Sequence, residues 1–504
     1  MSDAKPLPDS PPEALRDEVR KAVIWRSGSQ IVGQIITWAS TFVVIRILSP
    51  SDYGLMAMSS AIMLFLSLVN GYGFANALIQ RKQIDQHMLR QLFGMLILVN
   101  LVLAALHLLA APFAVEYYHE PMVARLLWVQ VLLYPTTPFI ALAYTILSRG
   151  LEFKRQGQVN MVSAILAALA AIVGALAGWG VWTLVWAPLV GLYARAIGLT
   201  WVARSLMWPS FDFSGAGFIF RFGSLVLIGQ LFWFIQTQSD VFIVGRAFSA
   251  HELGIYTTAL FLTQLFITKV VPPLNEVAFS AYSRLQHHDG EIAPAFLRSI
   301  QMIMFAGLPV FVGFAVTARP LVLVVLGEKW IETVPFVALL ALAMPLKTML
   351  TLFGPASNAV GRPDVQIRNS LAGAIILPAA FLISLLWGLI GIAYAWIVGN
   401  AILLAIAAYW SFPVLGVSWR QVAGAVAPSI LASVAMGAAV LATDSMLTAG
   451  SPLVRLLILV AVGASVYAGW LMLFARSAVF EMVELILNRR VGNARSSDPT
   501  CQGA

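Results

Sequence analysis

Two lysines lie inside long apolar stretches, where a charge is costly. Neither Lys269 nor Lys347 has an acidic residue within a few positions along the chain. A lysine at the centre of a bilayer costs roughly 2.5–3.5 kcal/mol, so such residues usually face a protein interior or a water-filled cavity. An ammonium group there binds anions, phosphate oxygens above all, by charge-assisted hydrogen bonds. Both lysines are therefore candidates for binding an anionic substrate. Snorkelling to the inner interface, or pairing with Glu276, is the structural alternative for Lys269.

Two pairs of arginines lie at predicted helix ends. Arg26 and Arg221 occupy the inner ends, where they would meet an anion that enters from the cytoplasm, or else anchor the helix at the interface. Arg46 and Arg246 occupy the outer ends. They would act at release of an anion, or else interact with the helix dipole and the terminal carbonyls.

One acid is embedded in an apolar segment. Asp240 lies in QTQSDVFIVG, and intramembrane acids often mark proton or sodium routes. Asp240 is therefore a candidate for coupling to H⁺ or Na⁺. The alternatives are a satisfied polar patch with its Gln and Ser neighbours, or a partner for Arg246.

The composition assigns this chain to a membrane. Of its 504 residues, 60% are hydrophobic and 11% charged, and the mean hydropathy is +0.85. Soluble domains carry about 25% charged residues. The net charge of +8 suggests basic cytoplasmic loops rather than binding to nucleic acid. The single cysteine, Cys501, excludes an internal disulfide and argues against a thiolate metal site, and we expect no metal, no cofactor and no catalytic group.

Apolar runs of about 20 residues predict membrane spans. Fourteen candidates lie near 28–48, 54–79, 88–111, 123–147, 158–178, 181–203, 218–245, 253–275, 296–317, 332–355, 367–387, 389–412, 421–442 and 453–475. The least distinct boundaries between successive spans lie within GWGVW at 178–182 and WGLIG at 387–391, because a long apolar run must be divided there. Most of the 31 basic residues fall on one side when the spans alternate, which predicts both termini in the cytoplasm.

Two segments half a chain apart resemble each other. Residues 44–56 read VIRILSPSDYGLM and residues 244–256 read VGRAFSAHELGIY, and RSGSQIVGQ at 26–34 reappears as RFGSLVLIGQ at 221–230. Such a repeat is typical of two helix bundles, here of six spans each and related by an axis along the membrane normal. Matched residues include Arg46 with Arg246, Ser49 with Ser249, Gly54 with Gly254, Val69 with Lys269 and Thr137 with Lys347.

These features predict an all-α polytopic membrane protein with about 14 transmembrane helices. We expect a polar lead over 1–20, disordered or interfacial, and six-helix bundles over 21–204 and 205–412. Helices 13 and 14 are expected over 413–476, and a cytoplasmic tail over 477–504. Two further local features are predicted: Ser49 or Ser51 with Asp52 caps the second helix, and Pro272–Pro273 breaks or kinks the eighth span.

Several strings resemble the polysaccharide flippases of the Wzx type. They are RILSPSDYG at 46–54, GFANALIQRKQID at 73–85, PPLNEVAFSAYSRLQ at 272–286, LGEKWIETVPFVALLALA at 326–343 and NAVGRPD at 358–364. The resemblance implies the fold of the multidrug/oligosaccharidyl-lipid/polysaccharide exporter superfamily, with two bundles facing a central cavity. It implies transfer of an undecaprenyl-diphosphate-linked oligosaccharide from the cytoplasmic to the periplasmic leaflet of the bacterial inner membrane. A polysaccharide polymerase and co-polymerase are the partners such a role would bring.

Three other functions remain open from the sequence. A multidrug or metabolite/cation antiporter would prefer acids in its cavity, whereas the embedded charges here are mostly basic. A membrane polymerase or ligase would need a large outer loop or an acid/base cluster, and neither is visible. A scaffold that transports nothing is disfavoured only by the cost of the embedded lysines.

Overall fold

The protein is a bundle of α-helices joined mostly by short turns. The computed structural model describes residues 12–67, 86–150, 152–212, 217–285, 292–447, 450–474 and 476. Side chains are described in these ranges except at 12–27, 217–229 and 285. No β-strand occurs within them.

The first of two compact units is Met1–Thr257. Its helices are α1 (Pro12–Ile47), α2 (Pro50–Ser67), α3 (Gln86–Tyr118), α4 (Pro121–Gln130), α5 (Thr136–Arg149), α6 (Phe153–Leu176), α7 (Val181–Ala203), α8 (Gly217–Ala247) and the start of α9 (Ala250–Lys269). Helix α6 packs between α1 and α7, and α2 contacts α3, α4 and α8.

The second unit is Thr258–Ala504. After the rest of α9 it contains α10 (Val271–Leu285), α11 (Ile292–Val316), α12 (Ala318–Val325), α13 (Val334–Ala359), α14 (Pro363–Ser384), α15 (Gly388–Leu415), α16 (Trp419–Met446) and α17 (Pro452–Phe474). Helix α13 packs on α10, α11 and α15, and α16 lies between α11 and α17. Three buried rings, Phe296, Phe353 and Phe412, form part of the core at the centre of this unit.

The predicted spans agree with the helices. Each of the fourteen overlaps a described helix, and eleven stretches of the described chain are long and apolar enough to cross a membrane. One of these, Pro363–Leu415, contains both α14 and α15. The all-helical polytopic class is thus confirmed. The arrangement as two six-helix bundles plus two helices, and the domain boundaries given above, stay predictions.

Both tight splits fall where they were predicted. Gly180 precedes α7 with φ of 55°, and Gly388 begins α15 with φ of 67°. Glycine adopts this left-handed region at little cost because it has no Cβ. A long apolar run can therefore reverse direction within a few residues at each point.

Two predicted spans are each broken in two. The span at 253–275 ends a helix at Lys269 and begins another at Val271, which confirms the predicted break at Pro272–Pro273. The span at 123–147 divides into α4 and α5 around a 3₁₀ turn at Val131–Leu133, and this break was not predicted. Pro135, which follows that turn, has no N–H to continue a helical ladder.

The start of α1 bears on one expectation. The lead over 1–20 was expected to be disordered or interfacial; α1 begins at Pro12, so residues 12–20 are helical, and an interfacial position for them stays a prediction. Proline suits the first position of a helix, and the PEALRDEVRKAV segment consists largely of good helix formers. Its polarity is therefore compatible with a helix that extends beyond the apolar span.

The two repeated segments begin their helices with the same cap. The backbone N–H and the hydroxyl of Ser49 donate to the Asp52 carboxylate at 2.9 and 2.7 Å. Those of Ser249 donate to Glu252 at 3.0 and 2.8 Å. This reciprocal use of a serine and an acid three residues later satisfies donors at the helix start. The predicted cap at Ser49 and Asp52 is confirmed. The second copy of the repeat has the equivalent cap, Ser249 with Glu252, at the start of α9.

Two matched glycines lie at one tight helix crossing within the first unit. A Cβ on Gly54 would lie 1.7 Å from the carbonyl oxygen of Ala250, and one on Gly254 would lie 1.8 Å from that of Pro50. Small residues allow two helices to approach until their backbones touch. The glycines that revealed the repeat therefore lie where α2 and α9 meet.

Candidate functional site

Lys347 is a cation held against an indole ring. It lies midway along α13 and is half-buried, and its Nζ lies 4.4 Å from the centre of the Trp396 ring. Trp396, on α15, is only 2% exposed. A cation–π contact of this kind contributes about 0.5–2 kcal/mol, most where water is excluded. The contact orients the ammonium group over the face of the indole ring.

Lys269 lies at the break between α9 and α10. It is the last residue of α9 and its side chain is exposed. Helix α10, which follows directly, packs on α13: the Asn275 side chain donates to the carbonyl of Thr351 at 3.1 Å. Thr351 lies one turn beyond Lys347. Both lysines thus belong to packed elements of the second unit, and a shared role in substrate binding stays a prediction.

The residues aligned with the lysines are neutral. Thr137, aligned with Lys347, is buried in the first turn of α5. Val69, aligned with Lys269, lies outside the described residues. Only the second copy of the repeat therefore has lysine at these two positions.

The arginine pairs have unequal surroundings. Arg46 is exposed in the last turn of α1. Arg246, its repeat partner at the end of α8, contacts the imidazole of His119 and lies 5.8 Å from the centre of the Tyr117 ring. Arg26 and Arg221 lie on α1 and α8, where their side chains are outside the described part of the chain. The repeat matches Arg46 with Arg246, but their surroundings differ. Arg246 has His119 and Tyr117 as neighbours, whereas Arg46 is exposed.

Arg246 also lines a cavity of about 550 Å³ between α2, α3 and α8, which we call the aromatic pocket. Its wall residues are Ile62, Ala110, Phe113, Ala114, Glu116, Tyr117, Tyr118, Phe242 and Arg246. The rings of Tyr118 and Phe242 are stacked with centres 6.2 Å apart, and Tyr117 lies edge-on to Tyr118. The pocket combines apolar ring surface with one cation and one carboxylate.

Sequence reasoning missed this pocket. The available signal was the string YYHEP at 117–121, where two tyrosines, a histidine and an acid follow an apolar span. His107, a lone histidine within the apolar span that became α3, is fully buried, and its Nδ1 lies 3.0 Å from the Tyr134 hydroxyl. His107 is therefore a packed residue of the first unit.

Asp240 is buried in α8 within the first unit. Its side chain is 1% exposed and accepts a hydrogen bond of 2.5 Å from the Tyr256 hydroxyl on α9. The sequence analysis did not name Tyr256 as a partner, and the polar patch with the Gln and Ser neighbours stays a prediction. A role in ion coupling stays a prediction.

The hydrogen bond to Asp240 makes a first prediction. Tyr256→Phe removes the donor while keeping the ring, and leaves a buried carboxyl oxygen with one contact fewer. We expect the free energy of unfolding to fall by about 2 kcal/mol, the scale for such a loss. Thermal denaturation of the purified protein, followed by tryptophan fluorescence, measures the change. Tyr409→Phe is the control, since Tyr409 is 75% exposed; equal melting temperatures for the two variants would contradict the expectation.

Among the residues that the structure describes, no three His, Cys, Asp or Glu side chains form a group that could hold a metal ion.

The fold and its embedded charges define a class of protein. An all-helical chain of long apolar spans, with a half-buried lysine in one of them and a buried acid in another, is the pattern of a polytopic membrane transporter. The chain belongs to the polysaccharide biosynthesis protein family, whose model matches residues 43–335. The resemblance to polysaccharide flippases is thereby confirmed.

Two relatives agree with this assignment, and a solved structure shares the fold. The chain is 26% identical over 390 residues to the succinoglycan biosynthesis transport protein ExoT of Rhizobium meliloti (strain 1021), covering 76% of this chain and 79% of that protein. It is 23% identical to the lipopolysaccharide biosynthesis protein WzxC of Escherichia coli (strain K12), with 81% and 84% covered. The lipid II flippase MurJ shares the fold at a TM-score of 0.73 and 15% identity, over 90% of this chain and 100% of that one.

Proposed function

We propose that the protein is a flippase for an undecaprenyl-diphosphate-linked oligosaccharide repeat unit. It moves the unit from the cytoplasmic to the periplasmic leaflet of the bacterial inner membrane by alternating access, with both termini in the cytoplasm. The product supplies a surface polysaccharide such as an exopolysaccharide, a capsule or O-antigen. The names of the relatives, which concern succinoglycan and lipopolysaccharide biosynthesis, support this substrate class. No bond is made or broken.

The physical task explains why a protein is needed. Each hydroxyl taken from water into hydrocarbon without a partner costs at least about 1–3 kcal/mol, and an unpaired charge far more. An oligosaccharide diphosphate therefore cannot cross unaided. A wet cavity open sideways to lipid would carry the head group while the prenyl tail stays in the bilayer. The diphosphate is the anionic group that stays the same in such substrates while the sugars vary, and lysine is a frequent ligand of phosphate groups.

The observation that carries the proposal is Lys347. Its half-buried ammonium lies over Trp396 inside an apolar helix, where a charge without a function would be disfavoured. In this proposal Lys347 supplies positive charge on the path of the diphosphate. Lys269 is the proposed second contact, and Arg26, Arg221, Arg46 and Arg246 are the proposed contacts at entry and release.

A flipping assay tests the function. The full chain is reconstituted into vesicles with a lipid-linked oligosaccharide, and the fraction that reaches the outer leaflet is followed with a lectin added outside. We expect transfer with the wild type, none in protein-free vesicles, and a rate at least about 10-fold lower for Lys269→Ala/Lys347→Ala, since a hydrogen bond to a charged group contributes roughly 1.5–3 kcal/mol. Wild-type transfer in the double variant would refute capture by the lysines.

The same vesicles test the antiporter alternative. A buried acid, Asp240, is the observation that favours it, because cation carriers use such groups. Efflux of an organic cation driven by a proton gradient, without transfer of lipid-linked sugar, would establish that function instead. If the flippase itself is coupled to H⁺ or Na⁺ through Asp240, Asp240→Asn should flip substrate at a rate independent of the ion gradient. A polymerase and co-polymerase are the expected partners on the periplasmic side.

A further inference from the structure

A groove in the first unit lies between α5 and α7, and we call it the α5–α7 groove. Its volume is about 480 Å³, and its wall includes Phe139 on α5 and Tyr193, Ile197 and Trp201 on α7. Ile197 is 67% exposed and Trp201 82%, so the groove is open along its side. Among the described residues of the wall, only Arg204 is charged. The groove is thus apolar along its length and cationic at one end.

The cationic end lies where the chain leaves the helix. Arg204 directly follows α7, and residues 205–212 are irregular. Irregular backbone exposed to lipid does not occur within the hydrocarbon, because its polar groups would have no partners there. Trp208 in this segment is 82% exposed, and tryptophans of this kind are enriched at the level of the lipid head groups. Arg204 is therefore at the membrane interface, beside the phosphates of the lipid.

Residues 205–212 are fixed on α3. The backbone N–H of Ser210 donates to the carbonyl of Arg90 at 2.9 Å. A Cβ on Gly94 would lie 2.2 Å from the carbonyl oxygen of Ser210, so the segment and the helix touch at their backbones. Leu206, which lines the groove and is 79% exposed, belongs to this fixed segment. Its side chain extends the apolar wall up to the interface.

The length of the groove matches one leaflet of a bilayer. Tyr193 and Arg204 are its limits along α7, and they are eleven positions apart, which is about 16 Å at 1.5 Å per residue. Half of a hydrocarbon core of roughly 30 Å is about 15 Å. The acyl chain of a phospholipid has this reach, whereas an undecaprenyl chain is much longer. A phospholipid with a negative head group therefore fits both the apolar wall and the cationic end.

Arg204 has a backbone conformation that arginine rarely adopts. Its φ is 47°, one of two positive values at non-glycine residues of the described chain. Glycine is the usual residue at such a position after a helix, because a Cβ disfavours the left-handed region. The arginine side chain is exposed, and no carboxylate of the described residues forms an ion pair with it. Its charge is therefore available to an anion from outside the protein.

We infer that the α5–α7 groove binds an anionic phospholipid, with Arg204 at the phosphate and one acyl chain along Phe139, Tyr193 and Ile197. A guanidinium group donates two parallel hydrogen bonds to phosphate oxygens, and basic pockets between transmembrane helices are typical sites for anionic head groups. The predicted orientation puts this end of α7 on the cytoplasmic side. The inference goes beyond the proposed function and does not depend on it.

Native mass spectrometry of the full chain tests the site by counting the lipids that the protein retains. The protein in detergent receives equal amounts of dioleoyl phosphatidylglycerol and dioleoyl phosphatidylcholine, which have the same acyl chains and differ in net charge. We expect the first phosphatidylglycerol to bind about 5-fold more tightly, the effect of one arginine near an anionic lipid. Arg204→Asn should remove most of this preference. Because asparagine tolerates the left-handed region, the variant should melt no lower than the wild type.

Two further variants separate the site from the rest of the surface. Arg420→Asn removes an equal charge from an exposed position on α16 and should keep the preference. Ile197→Trp puts a larger side chain at an exposed position of the wall and should weaken binding of the first phosphatidylglycerol. Equal binding of the two lipids by the wild type, or an unchanged preference in Arg204→Asn, would overturn the inference.

Two competitors identify the source of the anion. Glycerol 3-phosphate has a head-group phosphate without an acyl chain, and we expect it to leave phosphatidylglycerol bound; displacement would indicate a site for free phosphate instead. Undecaprenyl phosphate at an equal concentration should also leave it bound. Displacement by that lipid from the wild type would assign the groove to the substrate and overturn its assignment to a phospholipid.

Discussion

Gly54→Ala and Gly254→Ala are each expected to force α2 and α9 apart and to destabilise the protein. The new Cβ would lie less than 2 Å from a backbone carbonyl oxygen of the facing helix, that of Ala250 or that of Pro50. A side chain could rotate away from such an overlap, but a backbone carbonyl within a helix cannot. Overpacking of a core typically costs about 1–3 kcal/mol, and a clash between backbones belongs at the upper end of that range.

Apparent melting temperatures of the purified variants measure this effect. Gly424→Ala is the control: Gly424 lies in α16, and nothing lies within 4 Å of where its Cβ would be. Alanine at an unobstructed helical position should be neutral or slightly stabilising. We expect both crossing variants to melt well below this control.

The double variant adds a sharper test. Both substitutions act on one crossing, so once the first has separated the helices the second should cost little more. The two destabilisations should therefore fall clearly short of additive, as is usual for residues in contact. Single variants that melt like the control, or additive losses, would show that the helices do not approach this closely.

The repeat in the sequence already matched the two glycines that lie at the crossing of α2 and α9. Matching Gly54 with Gly254, and Ser49 with Ser249, needs only the printed sequence, and both pairs have equivalent local roles in the structure. Helix positions were predictable for a related reason. A bilayer requires long uninterrupted apolar runs, so charged residues and Gly or Pro breaks mark the helix ends.

The faces of the helices were not predictable. In a soluble protein the buried face is apolar and the exposed face polar, but in lipid both are apolar. Leu101 and Leu103 on α3 illustrate this: the first is 67% exposed and the second 1%. The contact of Lys347 with Trp396 and the pocket around Tyr118 depend on such faces. For the same reason Arg246 could be placed at a helix end, but not beside His119.

Replacing Lys347 by methionine is expected to separate stability from transport. The substitution keeps a long side chain over Trp396 and removes the charge. It abolishes a cation–π contact of about 0.5–2 kcal/mol, but also the cost of embedding an amine, roughly 2.5–3.5 kcal/mol at the bilayer centre. We therefore expect an unchanged or higher melting temperature. Flipping should fall roughly 10- to 100-fold, because a hydrogen bond to a charged group contributes about 1.5–3 kcal/mol.

A series of variants distinguishes charge from packing at Lys347. Lys347→Arg keeps the cation and should retain most of the flipping rate, whereas Trp396→Phe keeps a ring with a weaker attraction for cations and should have an intermediate effect. Arg319→Met removes an equal charge from an exposed position and should flip as the wild type does. If Lys347→Met lost stability and rate together, the lysine would be a structural element. Loss of rate alone, restored by arginine, is the result that only an anion-binding role explains.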